Sequence, residues 1–158
     1  MAARLKTCID NKKHPIIQDL QGRANVYFQY SCNLVDITAP LKKLLMKIAE
    51  PADVKKEVIE KIRATLVHTM RNNGQICIYT GDLKCDLMMF NDERDLPLSL
   101  LLDWDKGHKH ENYIGMIRDE EKYDHISGVV DGKFFAQERY SVCVLTDLKE
   151  PEDVKFMM

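Results

Sequence analysis

Apolar and polar positions alternate with a helical rhythm through the middle of the chain. Val54, Val58, Ile59, Ile62, Leu66, Val67 and Met70 recur at steps of three and four, so on a helix they form one stripe. Lys55, Lys56, Glu57, Glu60, Lys61 and Arg63 then turn mostly to water. Pro51 suits the first helical turn, where its missing N–H is not needed, and Asn72-Asn73-Gly74 supplies the left-handed residues that stop a helix. Gln75-Ile76-Cys77-Ile78-Tyr79-Thr80 follows at once, a short apolar run closed by Gly81-Asp82. Such a run reads as a strand buried on both faces.

The same reading extends outward from this pair. His14-Pro15-Ile16-Ile17-Gln18-Asp19 is a short strand, and 20–25 is a Gly-bearing turn that opens a helix through Val26, Tyr27, Phe28 and Tyr30. Leu34, Val35 and Ile37 mark a second strand, and Pro40 opens a helical segment in which Leu41, Leu44, Leu45 and Ile48 share a face. Leu87-Met88-Met89-Phe90 and the Leu-rich run 96–102 are apolar enough to pack, with a polar loop at 91–95 between them. Residues 103–131 are rich in charge, Gly and His and read as an excursion over the surface, with a short helix around 113–117. Tyr140-Ser141-Val142-Cys143-Val144-Leu145-Thr146 restores a strand, which Asp147 and Lys149-Glu150-Pro151 end.

Strands near 15–19, 33–38, 75–80 and 140–146 alternate with helical patterns. That order predicts an α/β fold, one mainly parallel sheet with flanking helices, because parallel neighbours need crossovers. The last strand is free to pair in either direction, since the excursion before it can return from either side.

Composition narrows the class. A chain of 158 residues suffices for one domain over 1–158, and 45% hydrophobic with 30% charged residues places it among globular proteins. With 23 basic against 25 acidic residues it lacks the concentrated positive surface that nucleic acid requires. No apolar run reaches the length of a membrane span, and the first residues lack the apolar core of a secretory signal, so the expected address is cytoplasmic. Five widely spaced cysteines without a Cys-x-x-Cys pair argue against a disulfide framework and a zinc ribbon, and Cys77 and Cys143 read as small buried hydrophobes.

In parallel sheets of this kind, ligands sit at the carboxyl ends of the strands. A working phosphate loop has the form Gly-x-x-x-x-Gly-Lys-Ser/Thr: the glycines let backbone wrap phosphate, the lysine reaches the outer phosphates and the hydroxyl holds magnesium. The loop after the first strand is Asp19-Leu20-Gln21-Gly22-Arg23-Ala24-Asn25, with one Gly, no Lys and no hydroxyl. It cannot hold ATP in the usual way.

Residues 14–25 resemble an element of the degenerate fifth AAA+ module of dynein heavy chains, which reads Pro, three apolar residues, Asp-Pro-Gln-Gly-Gln-Ala-Asn. The tightest likeness is at Gln21-Gly22 and Ala24-Asn25. In chain order, Leu34-Val35-Asp36-Ile37-Thr38 is similar to that family's second strand, 58–74 to its Gly-terminated helix, 76–82 to its third strand and 139–148 to its fourth. Asp82 falls near the place of a Walker B carboxylate, displaced by Gly81. The resemblance implies a P-loop NTPase-like three-layer sandwich and a degenerate nucleotide site at Gln21, Gly22, Arg23, Asn25 and Asp82. It implies no resident cofactor and no catalysis, but a scaffold role in a larger protein assembly, with microtubule or axonemal partners in the cilium. The alternative is a nucleotide-binding protein with weak or no hydrolysis.

Other candidate chemistry is sparse. Asp103, Asp105, His108, His110 and Glu111 lie close together in sequence, with Asp124-His125 further on, but neighbouring lysines oppose a cation and the stretch reads as solvated loop. His68 reads as a histidine at the rim of the core. No Gly-x-Ser-x-Gly elbow or His-x-x-x-His pair anchors covalent or zinc chemistry. The candidates for protein contact are Trp104, Tyr113, Tyr123, Phe134 and Phe135 around the excursion, and Phe156 in the apolar Phe156-Met157-Met158 terminus. The competing reading folds these aromatics back onto the sheet.

Overall fold

Ile76, Cys77 and Ile78 are fully buried, and the strand they form is the middle of the sheet. The computed structural model describes residues 32–123, 132–150 and 152. Within them, β1 (Cys32–Asp36), β2 (Gln75–Tyr79) and β3 (Ser141–Leu145) run parallel in the order β1-β2-β3. Leu34 pairs with Cys77, and Cys77 with Cys143. The last strand is therefore parallel, and the excursion returns across the sheet. The strand expected near 15–19 and the helix through 26–30 lie outside the described residues.

Two helices cross from β1 to β2. The first, α1 (Thr38–Leu45), begins two residues ahead of Pro40. Asp36 sets that start: its Oδ1 accepts from the Thr38 N–H at 2.8 Å and from the Thr38 hydroxyl at 2.7 Å. Pro40 is tolerated because the first turn leaves its N–H groups unbonded. Leu41 is buried, but Leu45 and Ile48 are exposed together with Met46, which corrects the single apolar face expected for this segment. The left-handed Lys47, at φ 53°, bends the chain away before Ile48.

The long helix α2 (Pro51–Arg71) has the expected limits. Pro51 opens it, and Asn73, at φ 55°, is the left-handed residue after its end. The Gly74 N–H donates back to the Thr69 carbonyl at 3.1 Å, satisfying a terminal acceptor. One side of α2 lies on the sheet, where the Asn33 amide donates to Thr69 Oγ1 at 2.9 Å. The other side is also covered, so α2 is buried along two faces rather than one.

What covers it is the apolar stretch 87–102 together with Phe134 and part of the 103–131 excursion, which enters the core at Tyr113, Met116 and Ile117 instead of running wholly over the surface. Leu87, Phe90, Leu96, Leu98 and Leu101 enter the core, followed by Tyr113, Met116, Ile117 and Phe134. Short helices α3 (Leu98–Leu101), α4 (Trp104–Gly107) and α5 (His110–Tyr113) carry the chain across, and a 3-10 turn over Ile114–Met116 follows α5 where a short helix was expected around 113–117. Gly107 is required where α4 meets α3: a Cβ there would stand 3.0 Å from the Leu101 carbonyl oxygen.

Arg63, expected in water, is 2% exposed. It forks onto Glu60 and Glu121 and also donates to the Met116 carbonyl at 3.1 Å. Arg71 is likewise buried, donating to the carbonyls of Glu121 and Tyr123 while its guanidinium lies 3.7 Å from the centre of the Tyr123 ring and 4.7 Å from that of Phe134. The two arginines clip the excursion to α2 where apolar contacts alone would leave carbonyls unpaired. No described helix is long and apolar enough to cross a membrane.

Candidate functional site

The carboxyl ends of β1, β2 and β3 meet in one belt of polar groups. Their continuation is held by backbone bonds from Ile37 N–H to the Tyr79 carbonyl at 3.0 Å and from Thr80 N–H to the Leu145 carbonyl at 3.0 Å. The chain then turns at Gly81, whose φ of 63° is left-handed and whose missing Cβ would stand 3.0 Å from Thr38 Cγ2. Its carbonyl accepts from the Asp147 N–H at 2.7 Å and from the Thr146 hydroxyl at 3.0 Å.

Four hydroxyls line this belt, and each donates to a protein oxygen. Thr38 gives its proton to Asp36, Tyr79 to Asp147, Thr80 to the Leu145 carbonyl and Thr146 to the Gly81 carbonyl. Lys61 Nζ donates to the Asp36 carbonyl at 2.7 Å. The hydrogen bond to Asp147, then partial burial and the charges of Asp147, Asp36 and Asp82, push the Tyr79 phenol up to about 12. The Thr38 hydrogen bonds hold the Asp36 carboxyl below its ordinary value.

Asp82 stands exposed just past this turn, at the end of the middle strand. The structure therefore places the one described member of the expected nucleotide site at the carboxyl edge of the sheet. Gln21, Gly22, Arg23 and Asn25 lie outside the described residues, as does Phe156. Sequence reasoning passed over Tyr79, Thr146 and Asp147. Their signal was positional, since each sits at or just past the polar end of an apolar strand.

The aromatics expected at a contact surface divide into exposed and buried groups, with Tyr123 between them, half-buried against the Arg71 guanidinium. Trp104 and Phe135 are 59% and 70% exposed. Tyr113 and Phe134 are not surface residues but core: they are buried and pack edge to face. His108 ties Trp104 to the sheet, its ring stacked on Tyr140 at 4.4 Å and tilted against Trp104 at 4.3 Å. Its Nδ1 lies 2.8 Å from the Trp104 carbonyl oxygen and its Nε2 3.1 Å from that of Tyr140. A groove of about 310 Å³ runs beside these rings, lined also by Gln137 and Glu138. A second, of about 330 Å³, lies under Phe135 and His110 and is flanked by Lys122 and Lys133.

Asp103 caps α4, accepting from the N–H groups of Asp105 and Lys106, and His68, expected at the rim of the core, is instead exposed beside Asn72. Among the described residues, no three His, Cys, Asp or Glu side chains converge as metal ligands would.

Comparison with protein-family models, curated proteins and solved structures finds no match to this chain.

Proposed function

We propose that this chain is a non-catalytic scaffold module of a larger protein assembly, built on a P-loop NTPase-like sheet whose nucleotide chemistry has lapsed. The observation that carries this reading is the closure of the carboxyl edge by its own groups. A polyphosphate arriving there meets Asp36, Asp82 and Asp147, while the hydroxyls of Thr38, Tyr79, Thr80 and Thr146 already donate to protein oxygens. Phosphoryl transfer relies on cations and donors aimed at the charge that develops in the transition state. At this edge three carboxylates stand instead, Lys61 is turned to the Asp36 carbonyl, and the Lys61 and Lys42 charges act on the Asp36 carboxylate. Gln21, Gly22, Arg23 and Asn25 are, on this reading, the remnant of a phosphate cradle.

The contact surfaces of the module are the exposed aromatics Trp104 and Phe135 and the corner Leu45, Met46 and Ile48, since apolar side chains left in water together are what a protein partner covers. The likeness to the dynein module directs the search to microtubule and axonemal proteins, in the cytoplasm and the cilium.

The reading is tested by incubating the purified chain with ATP and magnesium. No turnover and no rise in Tm are expected. A magnesium-dependent rise in Tm without turnover assigns nucleotide binding instead, and steady hydrolysis abolished by Asp82→Asn overturns the scaffold reading. Parallel affinity purification from ciliated and non-ciliated cells then tests compartment and partner together.

A further inference from the structure

Cys77 and Cys143 face each other across β2 and β3. They are register partners, and their sulfurs stand 2.9 Å apart although the residues are 66 positions apart in the chain. Neighbouring strands lie about 4.8 Å apart, inside the span of about 4.4–6.8 Å that a disulfide bridges between Cα atoms. The two differ in access. Cys77 is fully buried in the middle strand, whereas Cys143 is only partly covered. Both carry thiols.

We propose that Cys77 and Cys143 form a peroxide-responsive modification site, in which Cys143 is oxidised first and Cys77 converts it to a cross-strand disulfide. In the first step the Cys143 thiolate attacks one oxygen of hydrogen peroxide. The O–O bond breaks, hydroxide leaves, and Cys143 becomes a sulfenic acid. In the second step the Cys77 sulfur attacks Cys143 Sγ. The S–O bond breaks, and the departing hydroxide takes up the Cys77 proton as water. Together, two thiols and one peroxide give one disulfide and two waters, with two electrons passing from sulfur to peroxide. The fold supplies the second step with its geometry, because the resolving sulfur is already held against the one to be attacked.

Cys85 is the internal contrast. It is buried, and desolvation together with the Asp86 charge pushes its thiol up to about 11, so it stays protonated and unreactive.

The test treats the whole chain with hydrogen peroxide, blocks remaining thiols with N-ethylmaleimide under denaturing conditions and maps tryptic peptides. The expected product links 72–84 to 140–149 and disappears on treatment with dithiothreitol, while Cys85 is recovered alkylated. In Cys77→Ser, Cys143 is expected to accumulate a sulfenic acid trapped by dimedone. If that variant does not fold, a wild-type time course answers the same question, with the early dimedone adduct on Cys143. A dimedone or sulfinic product on Cys143 of the wild type with no linked peptide overturns the proposal. So does linkage of either cysteine elsewhere, or recovery of both fully alkylated at peroxide levels that oxidise an unstructured cysteine peptide.

Discussion

Arg63 and Glu121, 58 positions apart in the chain, form a two-pronged ion pair, Nη1 to Oε2 at 2.7 Å and Nη2 to Oε1 at 3.0 Å. Glu60 holds the same guanidinium from the helix side at 3.0 Å through each oxygen. The arginine is buried, so its charge depends on these partners far more than a surface ion pair would. Glu121→Gln keeps the shape but removes one of the two countercharges. It is expected to lower stability by about 2 kcal/mol, read from the urea midpoint at unchanged slope. Loss of that magnitude without loss of secondary structure marks the pair as the clip that holds the excursion to α2.

The same clip sets an acid limit. Burial pushes the Glu121 carboxyl up, but hydrogen bonds from Arg63 and the Arg118 N–H, with both arginine charges, outweigh it and leave the group below its ordinary value. Glu60 is lowered as well, chiefly by its hydrogen bond to Arg63. A carboxylate depressed in the folded state contributes stability that is present above its unfolded value near 4.5 and is lost as pH falls through the folded value. Thermal unfolding followed from neutral pH downward should therefore hold level and then fall below that point. Glu121→Gln should flatten the fall.

The long helix and the strand after it were legible because their signals are local. The stripe from Val54 to Met70, the Pro51 opening and the Asn72-Asn73-Gly74 stop each act within a few residues. The excursion was not legible, because its organisation depends on partners distant in sequence. Nothing near Arg63 or Arg71 announces that Glu121 and the Tyr123 carbonyl will come to meet them. At the carboxyl edge, Asp82 was expected only through the resemblance, and Tyr79 and Asp147 become a pair only once β2 and β3 are in register.

That pair has an alkaline signature. The fold raises the Tyr79 phenol to about 12 from an ordinary value of 10.0, first through the hydrogen bond to Asp147. A group raised in the folded state contributes stability fully present below pH 10.0 and lost as pH rises through about 12. Tyr79→Phe is expected to cost about 1 kcal/mol at neutral pH. Between pH 10.0 and 12 it should lose less further stability than the wild type, as read by denaturant titration at each pH.

Gly81→Ala tests the turn that closes the belt. The new side chain would be forced to a left-handed φ of 63° and would meet Thr38 Cγ2 at 3.0 Å. The threonine is tied down through its hydroxyl to Asp36 and cannot turn aside freely. A loss of about 1–2 kcal/mol is expected, and Gly81→Ala combined with Thr38→Ser should recover part of it, because serine keeps the hydroxyl without the methyl.

Phe134 and Phe135 are adjacent in sequence and opposite in role. Phe134 is 2% exposed, packed edge to face with Tyr113 and under the Arg71 guanidinium, while Phe135 is 70% exposed. Phe134→Ala opens a cavity in the layer that covers α2 and is expected to cost about 3 kcal/mol or more. Phe135→Ala removes a side chain that water already surrounds, so its effect on stability should stay within about 0.5 kcal/mol. If Phe135 belongs to the surface a partner covers, its substitution, alone and with Trp104→Ala, should weaken capture of partner proteins from ciliated cells while the unfolding midpoint stays put. Equal loss of capture in Phe134→Ala at a temperature where it is fully folded would remove Phe135 as the contact residue.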